Sequence, residues 1–292
     1  MKNLVFLLFI PLSFYSQENI VDTTKVVGWM KSGKSSFLIN QTAFSNWISG
    51  GENSNAGILS LDYDINYYKN EWSWDTKIIG SFGVNKNSDS KFLIKIDDRI
   101  EINSVIAKEF INEFSFSGFL NFKTQFARGF QYSTNEQGDE IRNEKTRFFS
   151  PAYTQLGAGI YWKESNTLWV NFAPITARLI LVNKKFTNDL DDGEDYFGVP
   201  GGQNSRFELG ASVSAFYEFE LVKNISLEQS INLYSDYLHK ANNVDLDYIL
   251  TLNLKINDYL TTTLIVEALY DNNAIRRIQL REVFGLGFVI NI

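Results

Sequence analysis

The chain has no cysteine in its 292 residues and a single histidine, His239. The first absence excludes disulfides, thiolate nucleophiles and thiolate metal sites. The second leaves serine–histidine chemistry one candidate base. His239 lies close to Ser235, but no motif surrounds either, so a solvated loop histidine is expected and a hydrolase is not. Basic charge is also scarce. The formal net charge is −7, the wrong sign for a nucleic-acid partner, whose binding face is basic. After Leu12 no apolar run approaches the roughly 20 residues of a membrane-spanning helix, so a helical membrane protein is excluded.

What the sequence does contain begins with an export signal. Met1-Lys2-Asn3 precedes the apolar run Leu4 to Leu12, and Ser13-Phe14-Tyr15-Ser16-Gln17 comes next, with a small residue for cleavage near Ser16. Residues 1–16 are therefore expected to be a signal peptide and residues 17–34 a periplasmic lead-in. Residues 35–292 are expected to form one β-barrel, whose base Val26-Val27-Gly28-Trp29 of the lead-in could pack on or plug.

The dominant signal is a period of two. Leu59, Leu61, Tyr63, Ile65 and Tyr67 alternate with Ser60, Asp62, Asp64 and Asn66. After Lys69-Asn70-Glu71 the alternation resumes, with Trp72, Trp74, Thr76, Ile78, Gly80, Phe82 and Val84 against Ser73, Asp75, Lys77, Ser81 and Gly83. One apolar and one polar face on each arm make a β-hairpin. Each arm has about the ten residues that a tilted strand needs to cross hydrocarbon. Aromatic residues make up 15% of the chain, yet mean hydropathy is below zero. Outward apolar rows averaged against an inward polar lining reconcile the two.

The same dyad predicts about twelve strands. The others run near Ser35–Phe44, Ile94–Asn103, Phe114–Phe126, Tyr153–Trp162, Thr167–Val182, Arg206–Glu218, Ile225–Tyr237, Val244–Ile256, Leu260–Asp271 and Leu280–Ile292. Faces cannot be assigned in the first. In the strand from Ile94, Ile94, Ile96, Ile100 and Ile102 oppose Lys95, Asp97, Arg99, Glu101 and Asn103. Pro174 cannot donate to a ladder, so a bulge is expected at Ala173–Thr176, with faces unassigned beyond it. Connections near 69–71, 107–112, 163–166, 220–224 and 257–259 are short, whereas those near 45–57, 128–150 and 183–204 are long. The fold class is thus an all-β, up-and-down antiparallel transmembrane barrel, with long loops extracellular and short turns and termini periplasmic.

The window Thr42-Ala43-Phe44-Ser45-Asn46-Trp47-Ile48-Ser49-Gly50-Gly51-Glu52-Asn53-Ser54 resembles the FSNW..GGENS signature of a family of Bacteroidota barrels, domain of unknown function 3078. Leu120 to Ala127, Ser150 to Tyr153, Phe197-Gly198-Val199 and Arg281 to Gly287 extend the resemblance. It implies an outer-membrane barrel and supplies no activity or site residues. Ile292 departs from the terminal aromatic common in barrel assembly signals.

The alternation points about twenty ionisable residues inward, roughly thirteen acidic and seven basic. Asp97, Arg99, Glu101, Arg206, Glu208, Glu267 and Arg281 are the expected lumen lining, as struts of a filled interior or as a selectivity filter for cations. Trp47 and Glu52, beside Gly50-Gly51, are loop-binding candidates or an interfacial tryptophan before a turn. The acidic loop Asn188 to Asp195 offers hard oxygen ligands, but its spacing does not match an EF-hand, so a solvated loop and no bound metal are expected. No cofactor is expected. The expected partners are outer-membrane lipids, then small polar or cationic solutes if the lumen is open, or envelope proteins docking on a non-conducting barrel.

Overall fold

The structure is a computed structural model that describes residues 27–45, 52–191 and 193–292, apart from the side chains of residues 275 and 276. The expected signal peptide lies outside the described residues.

Twelve antiparallel strands close into one barrel. They are β1 (Gly28–Thr42), β2 (Ser54–Lys69), β3 (Trp72–Asn87), β4 (Ile94–Ile111), β5 (Phe114–Thr124), β8 (Ala152–Lys163), β9 (Leu168–Leu181), β12 (Ser205–Val222), β13 (Ile225–Asp236), β14 (Asp245–Lys255), β15 (Leu260–Asp271) and β16 (Ile275–Asn291). Around the wall they stand in the order β1-β16-β15-β14-β13-β12-β9-β8-β5-β4-β3-β2. Sequential strands are neighbours throughout, which is the up-and-down connectivity that the run of hairpins predicts. Between β5 and β8 stands a separate hairpin, β6 (Gly129–Thr134) with β7 (Glu140–Thr146), and between β9 and β12 a two-residue pair, β10 (Asp195–Tyr196) with β11 (Val199–Pro200).

β1 begins at Gly28, earlier than the expected boundary at residue 35, so the end of the expected lead-in is wall. Gly28 pairs with Tyr68 and Trp29 with Tyr67. The Gly28–Ser35 stretch mixes polar and apolar residues on both faces, which hid its strand character. Trp29 does not plug the base: its ring packs at 4.9 Å from Tyr67 and 5.7 Å from Trp74, both on the outer wall.

Two bulges change which way residues face. On β4, Gly83 pairs with Asp97 and Val84 with Lys95, leaving Ile96 as the extra residue. A side chain on Gly83 would meet Ile58 and Ile96, so Ile96 turns toward the interior rather than joining the outer isoleucine row. On β9, Gly210 pairs with Thr176 but Ser212 with Ala173, so Pro174 and Ile175 are bulged. Trp169, Asn171 and Ala173 face inward before the bulge, and Thr176, Arg178 and Ile180 after it. The bulge therefore reverses the odd–even rule of this strand. Gly210 serves the same spot: a Cβ there would lie 1.9 Å from the Ser235 carbonyl oxygen.

The two rims differ. At one, strands join through turns such as Asn70-Glu71, Asn112-Glu113 and Lys223-Asn224; at the other lie the 88–93, 125–151 and 182–204 connections. β1 starts and β16 ends at the turn rim. The outer wall is apolar, with Leu156 61% exposed and Leu280 75%. Outward rings gather toward both rims, as in Phe110–Phe116 near the turns and Phe82–Phe126 and Phe122–Phe149 near the loops. Such a wall, exposed to water, would be a far larger apolar patch than soluble monomers carry.

Candidate lumen site

Inward positions converge on a cavity of about 690 Å³. Its lining runs from Tyr153, Arg178, Asp245 and Asp271 near the loop rim to Asn257, Asp258 and Asn291 at the turn rim. Ten carboxylates and seven cationic side chains line it, an acidic excess as the alternation predicts.

The charges are arranged in levels. Nearest the loops, Arg178 donates from Nε to Glu208 at 2.6 Å and from Nη2 to Asp245 at 2.6 Å. Glu208 is fully buried and also accepts Asn273 Nδ2 at 3.1 Å. Arg206 lies 2.9 Å from Glu208 and 3.5 Å from Asp236. One level down, Arg281 on β16 reaches across to Asp97 on β4 at 2.8 Å and sideways to Glu267 at 2.9 Å. Lys123 on β5 crosses to Asp247 on β14 at 2.7 Å. Arg99 donates from Nε to Glu101 at 2.8 Å, and Asn103 holds the other carboxylate oxygen at 2.8 Å. Toward the turn rim Lys163 meets Asp75 at 2.6 Å and Lys34 meets Glu228 at 3.4 Å. Buried charges survive in a wall only when paired in this way.

All seven lumen residues named from the sequence point inward and are ion-paired. Asp97, Arg99, Glu101, Glu267 and Arg281 line the cavity, while Arg206 and Glu208 lie in the layer above it. Arg178, which organises that layer, was not among them, because it lies beyond the Pro174 bulge. Lys123, Asp245 and Asp247 were legible as inward residues; what alternation does not give is their reach across the lumen.

The 182–204 connection closes over the charged layer. Val199 and Ile180 are fully buried and Val182 nearly so, with Tyr153, Phe186, Tyr196 and Phe197 packed around them. Arg206 Nη1 donates to the Gly198 carbonyl at 3.1 Å, tying this apolar stopper to the layer beneath. Gly198 has φ +79, and a Cβ there would lie 2.9 Å from Asn273, so a glycine allows the loop to sit this close.

Above the rim, Glu144 of β7 accepts from Arg147 Nε at 2.7 Å and Lys185 Nζ at 2.6 Å. The hydrogen bond from Arg147, helped by Lys185, holds its carboxyl down at about 2. The contact fastens the β6–β7 hairpin to the stopper loop. Arg142 of the same hairpin lies between the rings of Phe92 and Phe130, 4.7 and 4.3 Å from their centroids.

Of the loop candidates, Glu52 is exposed and Trp47 lies outside the described residues. So does Asp192 of the acidic loop, where the Asp195 carboxylate accepts from Gly198 N at 3.2 Å. His239 Nδ1 sits 3.1 Å from Asp236, whereas Ser235 Oγ donates to the Ala241 carbonyl at 2.7 Å, so serine and histidine are engaged elsewhere.

Among solved structures the chain is similar to the translocator domain of autotransporter NalP from Neisseria meningitidis, at 11% identity over 91% of this chain and 89% of that one, with a TM-score of 0.40. It is also similar to the COG4313 outer membrane channel from Pseudomonas putida F1, at 11% identity over 91% and 95% of the two chains, with a TM-score of 0.39. No curated protein matches the sequence. Residues 39–130, from the end of β1 into β6, match the model of the family described as "Protein of unknown function (DUF3078)", and over that stretch the chain resembles it.

Proposed function

We propose that the protein is an outer-membrane barrel that provides a narrow path for small polar or cationic solutes. The observation that carries this is the lumen cavity, which runs between the two rims and is lined by more carboxylates than cations. A lining of that sign attracts cations and repels anions. The apolar wall with aromatic rings toward both rims supports the membrane setting, and the long connections, in the usual orientation of such barrels, face the cell exterior.

One observation favours a second reading, a non-conducting barrel on which other envelope proteins assemble. The Arg178–Glu208–Asp245 layer and the apolar stopper above it fill the loop rim, where an open path would need an exit. In a channel the same parts would be its gate. No catalytic role is proposed.

The deciding experiment is current through the purified full-length protein in planar bilayers, with the reversal potential measured under a potassium chloride gradient. Steady cation-selective current supports a path. Silence, in protein shown to be folded and inserted, overturns it in favour of the assembly reading.

A further inference from the structure

The lumen carries an aromatic shelf where an aqueous lining calls for polar side chains. Trp169 on β9 and Phe216 on β12 are register partners, and both face the cavity. Their rings stack at 6.1 Å with an interplanar angle of 21°. Tyr161, nearly fully buried, backs Trp169 at 5.8 Å. The next inward position on β12 is Glu218, whose register partner on β13 is Glu228, also in the cavity lining.

Carboxylates set directly opposite on one face repel each other. Here they are neutralised only in part. Lys34 reaches Glu228 at 3.4 Å, and Asn253 donates to the same oxygen at 2.8 Å. Among the described residues Glu218 forms no ion pair, unlike the carboxylates of the levels above.

We propose that this level of the lumen binds a small organic cation. Its ammonium or guanidinium group sits against Glu218 and Glu228, and its carbon surface lies on Trp169 and Phe216. The two halves of the site select for one chemistry. A hydrated inorganic cation satisfies the carboxylates and leaves the rings bare. A neutral apolar molecule covers the rings and leaves the charge. An organic cation does both, and its attraction to the ring faces adds to its attraction to the carboxylates. A cavity of about 690 Å³ is of the size that encloses a small molecule. Lys34 is then the resident counter-ion beside which the ligand docks. The inference rests on the solute path proposed above for its biological sense, but binding itself needs no passage.

The test is titration calorimetry of the full-length protein, folded in detergent micelles at low ionic strength. The probes are choline and its uncharged isostere 3,3-dimethylbutan-1-ol. Choline is expected to bind saturably and the isostere about tenfold more weakly. Glu218→Gln is expected to weaken choline binding about tenfold, and Phe216→Leu about threefold, in protein that keeps the compact band of unheated electrophoresis. If Phe216→Leu does not fold, Trp169→Leu tests the same wall. Equal binding of the two probes, no saturable binding of choline, or indifference to Glu218→Gln overturns the site. Current without choline binding sinks this site and leaves the path; choline binding in a barrel that carries no current does the reverse.

Discussion

Arg178 and Glu208 form the least exposed of the ion pairs described in the barrel, with side chains 5% and 0% accessible and Nε to Oε2 at 2.6 Å. Because the same guanidinium holds Asp245 at 2.6 Å, one side chain joins β9, β12 and β14. Replacing it with leucine would leave buried Glu208 with Arg206 as its one remaining cation and Asn273 as its amide donor. A loss of about 3 kcal/mol is expected for Arg178→Leu, read as a lowered urea midpoint in lipid vesicles. Double replacement of Arg178 and Glu208 by apolar residues should recover much of it.

Arg281 neutralises two carboxylates at once, Asp97 and Glu267. Arg281→Gln releases both into the lumen. Its reversal potential under a salt gradient is expected to move further toward the potassium value, and Asp97→Asn to move it the other way. Equal shifts of the same sign would mean that these charges are struts without influence on ions.

Leu156 separates a lipid-facing wall from a wet one. In water, arginine at so exposed a position would cost almost nothing. Facing hydrocarbon, Leu156→Arg is expected to cost about 2–4 kcal/mol, and the measurement is again unfolding from vesicles.

Glu144 sets an acid limit on the loops. Its carboxyl is held below its unfolded value, so the contact with Arg147 and Lys185 stabilises the folded loops fully above about pH 4.5 and is lost as pH falls toward about 2. Protection factors in the 129–146 and 184–187 segments, taken relative to the intrinsic exchange rate at each pH, are therefore expected to be unchanged from pH 7 to 5. Glu144→Gln should lower them in both segments at pH 7.

How much of this was legible in the sequence depends on the one thing alternation reports. A strand that separates an apolar exterior from a polar interior must write its two faces into every second residue; Leu59 to Tyr67 does so without a break, and Val244 to Ile256 with only Ile249 out of step. Hence the twelve strands, the long and short rims and the inward charges were readable. Alternation fails where parity changes, and Arg178 and Ile96 are the residues that the two bulges moved. It also fails off the wall. The apolar face of the β6–β7 hairpin is only Phe130 and Tyr132, packed on Phe92 and Arg142 of the loops, an alternation too short to stand out among Gln131, Ser133 and Asn143. The shelf of Trp169 and Phe216 was hidden for a related reason: inward aromatics look like outward ones until the register is known.

The seam that closes the cylinder differs from the rest of the wall. The β1–β16 ladder runs only from Lys34 opposite Asn291 to Ile39 opposite Leu286, extended by the reciprocal backbone bonds of Gly33 and Ile292, whereas β1 pairs with β2 along its whole length. Fewer backbone bonds hold this edge than any other, so breathing of the cylinder is concentrated there. The cylinder thus has a built-in zipper, and lateral strain on the wall would be relieved along that one line before the lumen changes its width elsewhere.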